Sequence, residues 1–146
     1  PFSESHPQIS PDGKWIAYYS NETGRNEIYV RPFPSGEGKW QISTNGGIFP
    51  RWRRDGRELF YMSVVSLGKI VSVKVNPAGT TFEYGDPVEL FDSGYVNVGH
   101  PGNYHTYAVS ADGQRFLIPR PENTGGADAA AAPITVVVNW TAGLKK

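Results

Sequence analysis

Three times in 146 residues the chain repeats one short pattern. An Asp-Gly pair is followed by two polar or amphipathic residues and then a β-prone run. The stretches are ISPDGKWIAYYS (Ile9–Ser20), RRDGRELFYMS (Arg53–Ser63) and SADGQRFLIPR (Ser110–Arg120). Asp12 and Asp55 are 43 residues apart, close to the roughly 40–45 residue period of a four-stranded propeller blade. Asp55 and Asp112 are 57 apart, so the middle unit carries an insertion. A repeat of this length fixes architecture before it says anything about chemistry. Each unit must bury its apolar face against the next one.

Turn and strand signals divide the units further. In the first, strands are expected at His6–Ser10, Trp15–Ser20, Glu27–Arg31 and Lys39–Ser43. In the second they fall at Ile48–Arg53, Glu58–Ser63, Lys69–Val75 and Val88–Phe91. NPAGTTFEYGDP reads as a long connection before the last of these. In the third they fall at Tyr104–Ser110, Arg115–Pro119 and Ile134–Trp140, with no fourth strand. The expected class is all-β: three four-stranded antiparallel blades, the last lacking its outer strand, in a partial β-propeller. The blades cover about residues 1–45, 46–95 and 96–146, with a low-complexity loop over 121–133. Seven Phe, eight Tyr, four Trp, 17 Gly and 12 Pro agree with a β chain rich in tight turns.

The recurring Asp-Gly has a local cause. A tight connection needs one residue at positive φ, and Gly13, Gly56 and Gly113 supply it without a Cβ clash. Asp12, Asp55 and Asp112 can accept a backbone N–H from their own turns. No calcium-loop pattern surrounds them, so their expected role is turn chemistry. Arg53 stands where the other two units have Ser10 and Ser110.

The stretches PQISPDGKWIAYYSNETGRNEIYVRPFP and FPRWRRDGRELFYMS resemble TolB-type repeats, a branch of the WD-like β-propellers. The resemblance covers nearly the whole chain except residues 121–132, and implies a fold, not one function. The ending PITVVVNWTAGLKK is similar to the tail of propellers that terminate bacterial multidomain proteins, membrane-anchored serine/threonine kinases in particular. Such rings usually hold six to eight blades. The resemblance therefore implies further blades before Pro1, in a parent whose propeller is periplasmic or extracytoplasmic. It also implies a last blade that borrows its outer strand. The start at Pro1, without Met, reads as a cut or processed end.

Composition excludes several functions. Fourteen Lys plus Arg balance 14 Asp plus Glu, so no electrostatic argument favours nucleic acid. There is no cysteine, hence no thiolate metal site or cysteine nucleophile. No apolar run is long enough to insert into a membrane. G-x-S-x-G, H-E-x-x-H and the kinase catalytic motifs are absent. No catalytic residue, cofactor or metal is expected.

Binding candidates lie where inner strands would face the propeller axis: His6, Gln8, Arg51, His100 and His105. Alternation puts Arg51 and Arg53 on one strand face and Trp52 on the other. An anionic ligand at the axis would be led by Arg51; the plainer reading of RWRRDGR is a solvated turn with arginine stems over apolar surface. The plainer reading of the histidines is three exposed or half-buried imidazoles. The expected function is a non-catalytic binding or sensory module of a bacterial signalling protein. The alternative is the substrate-gating propeller of a peptidase or other hydrolase. Two open blade faces also predict self-association, as a dimer of three blades forming a six-bladed ring.

Overall fold

The computed structural model describes residues 2–66, 68–79, 81–94, 107–119 and 134–138. They form three antiparallel sheets in chain order. The first holds β1 (Glu4–Ile9), β2 (Trp15–Ser20), β3 (Glu27–Pro32) and β4 (Trp40–Gln41), ordered β1-β2-β3-β4. The second holds β5 (Gly47–Trp52), β6 (Glu58–Ser63), β7 (Lys69–Asn76), β8 (Glu83–Tyr84) and β9 (Val88–Asp92). In the third, β10 (Ala108–Val109), β11 (Arg115–Pro119) and β12 (Ile134–Val138) follow in order. The run 121–133 lies outside the described residues.

The middle sheet adds one strand to the expected four. β8 lies in the stretch read as a connection, and it pairs Val75 and Asn76 of β7. β9 pairs Lys69–Ser72 of the same strand. Gly85 N–H donates to Lys74 O (2.9 Å) between them. The outer position of this blade is thus filled by one segment, interrupted at Gly85–Pro87. Pro87 has no N–H to donate, which helps explain why the ladder breaks there.

The three Asp-Gly turns share a frame. Gly13, Gly56 and Gly113 have φ of 74°, 72° and 71°. Their N–H groups donate to the carbonyls of Ser10, Arg53 and Ser110 (2.9–3.0 Å). Each aspartate accepts the backbone N–H two residues on: Lys14 (3.2 Å), Arg57 (3.1 Å) and Gln114 (3.0 Å). In the outer units a serine hydroxyl completes the turn. Ser10 Oγ donates to Asp12 and accepts Trp15 N–H, and Ser110 does the same with Asp112 and Arg115. Those bonds hold the exposed Asp112 carboxyl below its usual range, the Ser110 hydroxyl most of all. In the middle unit Arg53 replaces the hydroxyl. Its Nε lies 3.3 Å from Asp55 Oδ1 and its Nη1 donates to Glu58 Oε2 (3.0 Å).

Stacking follows from alternation along β6. Leu59 and Tyr61 join Val71, Val73 and Val75 in a core shared with Trp15, Ala17, Ile28 and Val30 of the first sheet. Phe60 and Met62 point the other way and join Ile70, Tyr107, Phe116 and Ile118. Innermost β5 touches both β1 and β10. Three sheets packed face on face through consecutive inner strands are blades, and the chain is a partial β-propeller.

The crossover from the first blade to the second is held by a buried acid. Glu27, 1% exposed, accepts Gly46 N–H at both carboxylate oxygens (3.0 and 2.9 Å) and takes bonds from Ser43 Oγ and Arg25 Nε. Gly47 N–H donates to Asn26 O (2.9 Å) beside it. A buried carboxylate without such donors would cost several kcal/mol, on the order of 3–5. Its four bonds therefore fix the path from β4 to β5.

The turns yield a stability prediction. Around Gly13 an added Cβ would meet nothing within 4 Å, so Gly13→Ala should cost only the positive-φ penalty of about 1–2 kcal/mol. At Gly113 the same Cβ would lie 3.2 Å from Arg53 Cδ and 3.3 Å from Phe60 Cζ, across the joint between blades. Gly113→Ala should therefore cost about 1 kcal/mol more. Equal losses in urea denaturation would contradict the packing of the third blade on the second.

Candidate functional site

Two regions carry polar chemistry: the inner strands and the outer face of the first blade. The inner strands β1 and β5 are each kinked once. Pairing of β1 with β2 shifts register between Ser5 and Gln8, and pairing of β5 with β6 shifts between Ile48 and Arg51. His6 (φ 54°) and Phe49 (φ 57°) sit at these bulges, each followed by proline. Positive φ is uncommon outside glycine, and proline disfavours helical geometry before it, so the surrounding contacts must hold both residues there. The His6 ring stacks on Tyr19 (5.3 Å, 20°) and meets the edge of Phe49 (4.7 Å, 76°). Equivalent bulges of neighbouring blades thus touch.

Bonds from one blade's side chains to the next blade's backbone lace these strands together. Trp52 Nε1 donates to Gln8 O (3.0 Å), and the Tyr107 hydroxyl donates to Phe49 O (2.9 Å). Arg51 Nη1 donates to Pro50 O (3.0 Å) and its Nε to Tyr107 O (3.4 Å), with the guanidinium 5.8 Å from the Tyr107 ring centroid. Burial drives the Tyr107 phenol far above its ordinary range, so it is a proton donor at any physiological pH.

Of the axial candidates, His6, Gln8 and Arg51 lie on β1 and β5. His100 and His105 lie outside the described residues. The structure brings His6 against Tyr19 and Phe49. Gln8 binds through its backbone carbonyl, while its side-chain amide donates to Pro7 O (2.9 Å). Arg51 and Arg53 face the third blade and Trp52 the first, as alternation requires. The Arg51 guanidinium donates to one carbonyl of the third blade and one of its own strand. Among the described residues, no group of three His, Asp or Glu is placed to hold a metal.

The second region lies on the first blade, on the face turned away from the second. It is a groove of about 610 Å³, with Pro7, Ile16, Tyr18 and Phe33 among its apolar walls and Glu4 and Arg31 at its polar positions. Phe33 is 37% exposed. Tyr18 is pushed up by burial first and by the Glu4 charge second, so its hydroxyl stays protonated. Neither Glu4 nor Arg31 forms an ion pair among the described residues, whereas Arg25, Lys39, Arg53 and Lys69 all do. Sequence reasoning missed this groove. Its signal was Arg31, a charge that shares one face of β3 with Glu27 and Tyr29 while Ile28 and Val30 take the core face.

Comparison with known proteins adds little to this geometry. No protein-family model matches the chain, and no curated protein matches it. Among solved structures, TolB from Acinetobacter baumannii aligns at 16% identity with a TM-score of 0.41, over 95% of this chain and 44% of that one. The chain thus spans less than half the length of that protein. The propeller assignment rests on the sheets and their stacking.

The lacing generates a prediction against a surface role for the arginines. Arg51→Ala should lower stability by about 1–2 kcal/mol, through a lost hydrogen bond and a lost ring contact. Arg57, exposed in the outer turn, should change it by less than about 0.5 kcal/mol when truncated. Matched melting temperatures for the two variants would remove Arg51 from the blade joint.

Proposed function

We propose that the chain is a non-catalytic interaction module, and that its binding surface is the groove on the outer face of the first blade. The observation that carries this reading is an open, 610 Å³ groove combining apolar walls with the guanidinium of Arg31, which forms no ion pair among the described residues. Binding sites typically have this make-up, a mostly apolar cleft of about 300–1,000 Å³ with a few polar groups that orient the ligand. The axial candidates support the reading from the other side, because Gln8 and Arg51 are engaged in holding blades together. We further propose that the module belongs to a bacterial signalling protein, which rests on the resemblance of the tail from Pro133 to Lys146.

An apolar anion tests the groove without knowledge of the natural partner. Anilinonaphthalene sulfonate, at low micromolar protein, should show saturable fluorescence. Ile16→Asp or Arg31→Glu should remove most of it. Val65→Asp, at a turn residue 64% exposed and away from the groove, should leave it unchanged. Fluorescence indifferent to Ile16 and Arg31 would mean that the groove does not bind.

A further inference from the structure

The second blade shows what the groove is built to receive. β2 and β6 both start three residues after the turn aspartate, so Ile16 corresponds to Leu59 and Tyr18 to Tyr61. Strand pairing extends the match. Ile16 pairs Arg31 as Leu59 pairs Val73, Tyr18 pairs Tyr29 as Tyr61 pairs Val71, and Glu4 pairs Ser20 as Gly47 pairs Ser63. Leu59, Tyr61, Val71 and Val73 are the residues with which the second blade packs onto the first. The groove is therefore the same kind of surface, one blade earlier.

The opposite end of the stack carries the complementary surface. Arg115 and Leu117 correspond to Trp15 and Ala17, which the first blade turns toward the second. On the third blade Phe116 and Ile118 are buried, while Leu117 is 42% exposed beside a shallow hollow of about 290 Å³. One chain thus holds both halves of a blade joint at opposite ends of a stack of three.

We propose that the outer face of the first blade seats the outer face of the third blade of a second copy. Made twice about a two-fold axis, this contact closes a ring of six blades. This proposal rests on the groove being a binding surface. Two head-to-tail contacts would cover the outer faces of the first and third described blades of both copies in a closed symmetry, and six lies within the roughly four to eight blades of closed propellers.

Two charged residues set the strength of the joint. Val73, fully buried, becomes Arg31 in the groove, and Gly47 becomes Glu4. Gly47 presses so close to the first blade that a Cβ would lie 2.7 Å from Ile28 Cγ1. Seating a blade on Glu4 and Arg31 must strip water from both charges and make room for a longer side chain. The joint is therefore reversible rather than permanent.

Sedimentation velocity from low to high micromolar tests this. The wild type should pass from 16.1 kDa to twice that mass. Ile16→Arg and Leu117→Arg, checked for folding by circular dichroism, should each stay monomeric, and an equimolar mixture of the two should recover a dimer through the one intact pair of faces. Glu4→Gly with Arg31→Val should associate at least tenfold more tightly. A wild type that remains monomeric at high micromolar overturns the proposal. So does a dimer that survives Leu117→Arg, because that would be a like-on-like contact. If the dye still binds the groove in a monomeric wild type, the second copy alone is refuted as its occupant.

Discussion

The middle blade is apolar on both faces, and the rest of the structure depends on that. Leu59 and Tyr61 face one neighbour while Phe60 and Met62 face the other, and all four are at most 4% exposed. Each buried side chain of this size contributes on the order of 1.5–3 kcal/mol relative to exposure. A lone antiparallel sheet usually keeps one face in water and so alternates apolar with polar residues. Here β6 has no polar side to offer, so a blade must lie on each side of it. The turns, bulges and crossovers serve to hold the three sheets in that order.

Polar groups supply the geometry that apolar burial alone does not. Hydrophobic stacking is non-directional, and two sheets could slide without losing much area. The bonds from Trp52 to Gln8 O and from Tyr107 to Phe49 O prevent this at the inner strands. At the other end of the strands Glu27 fixes the first crossover. Within the second blade Ser93, just after β9, donates through both its N–H and its hydroxyl to Gly68 O. The contacts of Trp52, Tyr107 and Glu27 are each local to one joint, so the turn recurs from blade to blade while the locks differ.

Much of the fold was legible in the sequence. The second strands of all three units, Trp15–Ser20, Glu58–Ser63 and Arg115–Pro119, stand where the Asp-Gly turns put them, because a tight turn and period-two burial are local properties. What was not legible depends on partners far away in sequence. The bulges at His6 and Phe49 exist to meet the neighbouring blade; their only trace was a proline at the same distance before each turn. Arg51 reads as a surface cation until Tyr107, 56 residues later, supplies its acceptor. β8 was hidden because a two-residue strand needs only a free edge on β7. The groove was missed for a similar reason: a site formed by one face of a blade appears only once the opposite face is known to be covered.

The central claim, that the middle blade is clamped between the other two, is tested most directly by amide hydrogen exchange resolved by residue. Protection follows the free energy of the smallest opening that exposes each amide. The account predicts that amides of β6 and of Ile70–Val73 in β7 exchange only through global unfolding. Those of β4 and β8 should exchange through smaller local openings. Exchange of β6 faster than that of β2 would mean that the second blade opens before the first, and would contradict a fold organised around it.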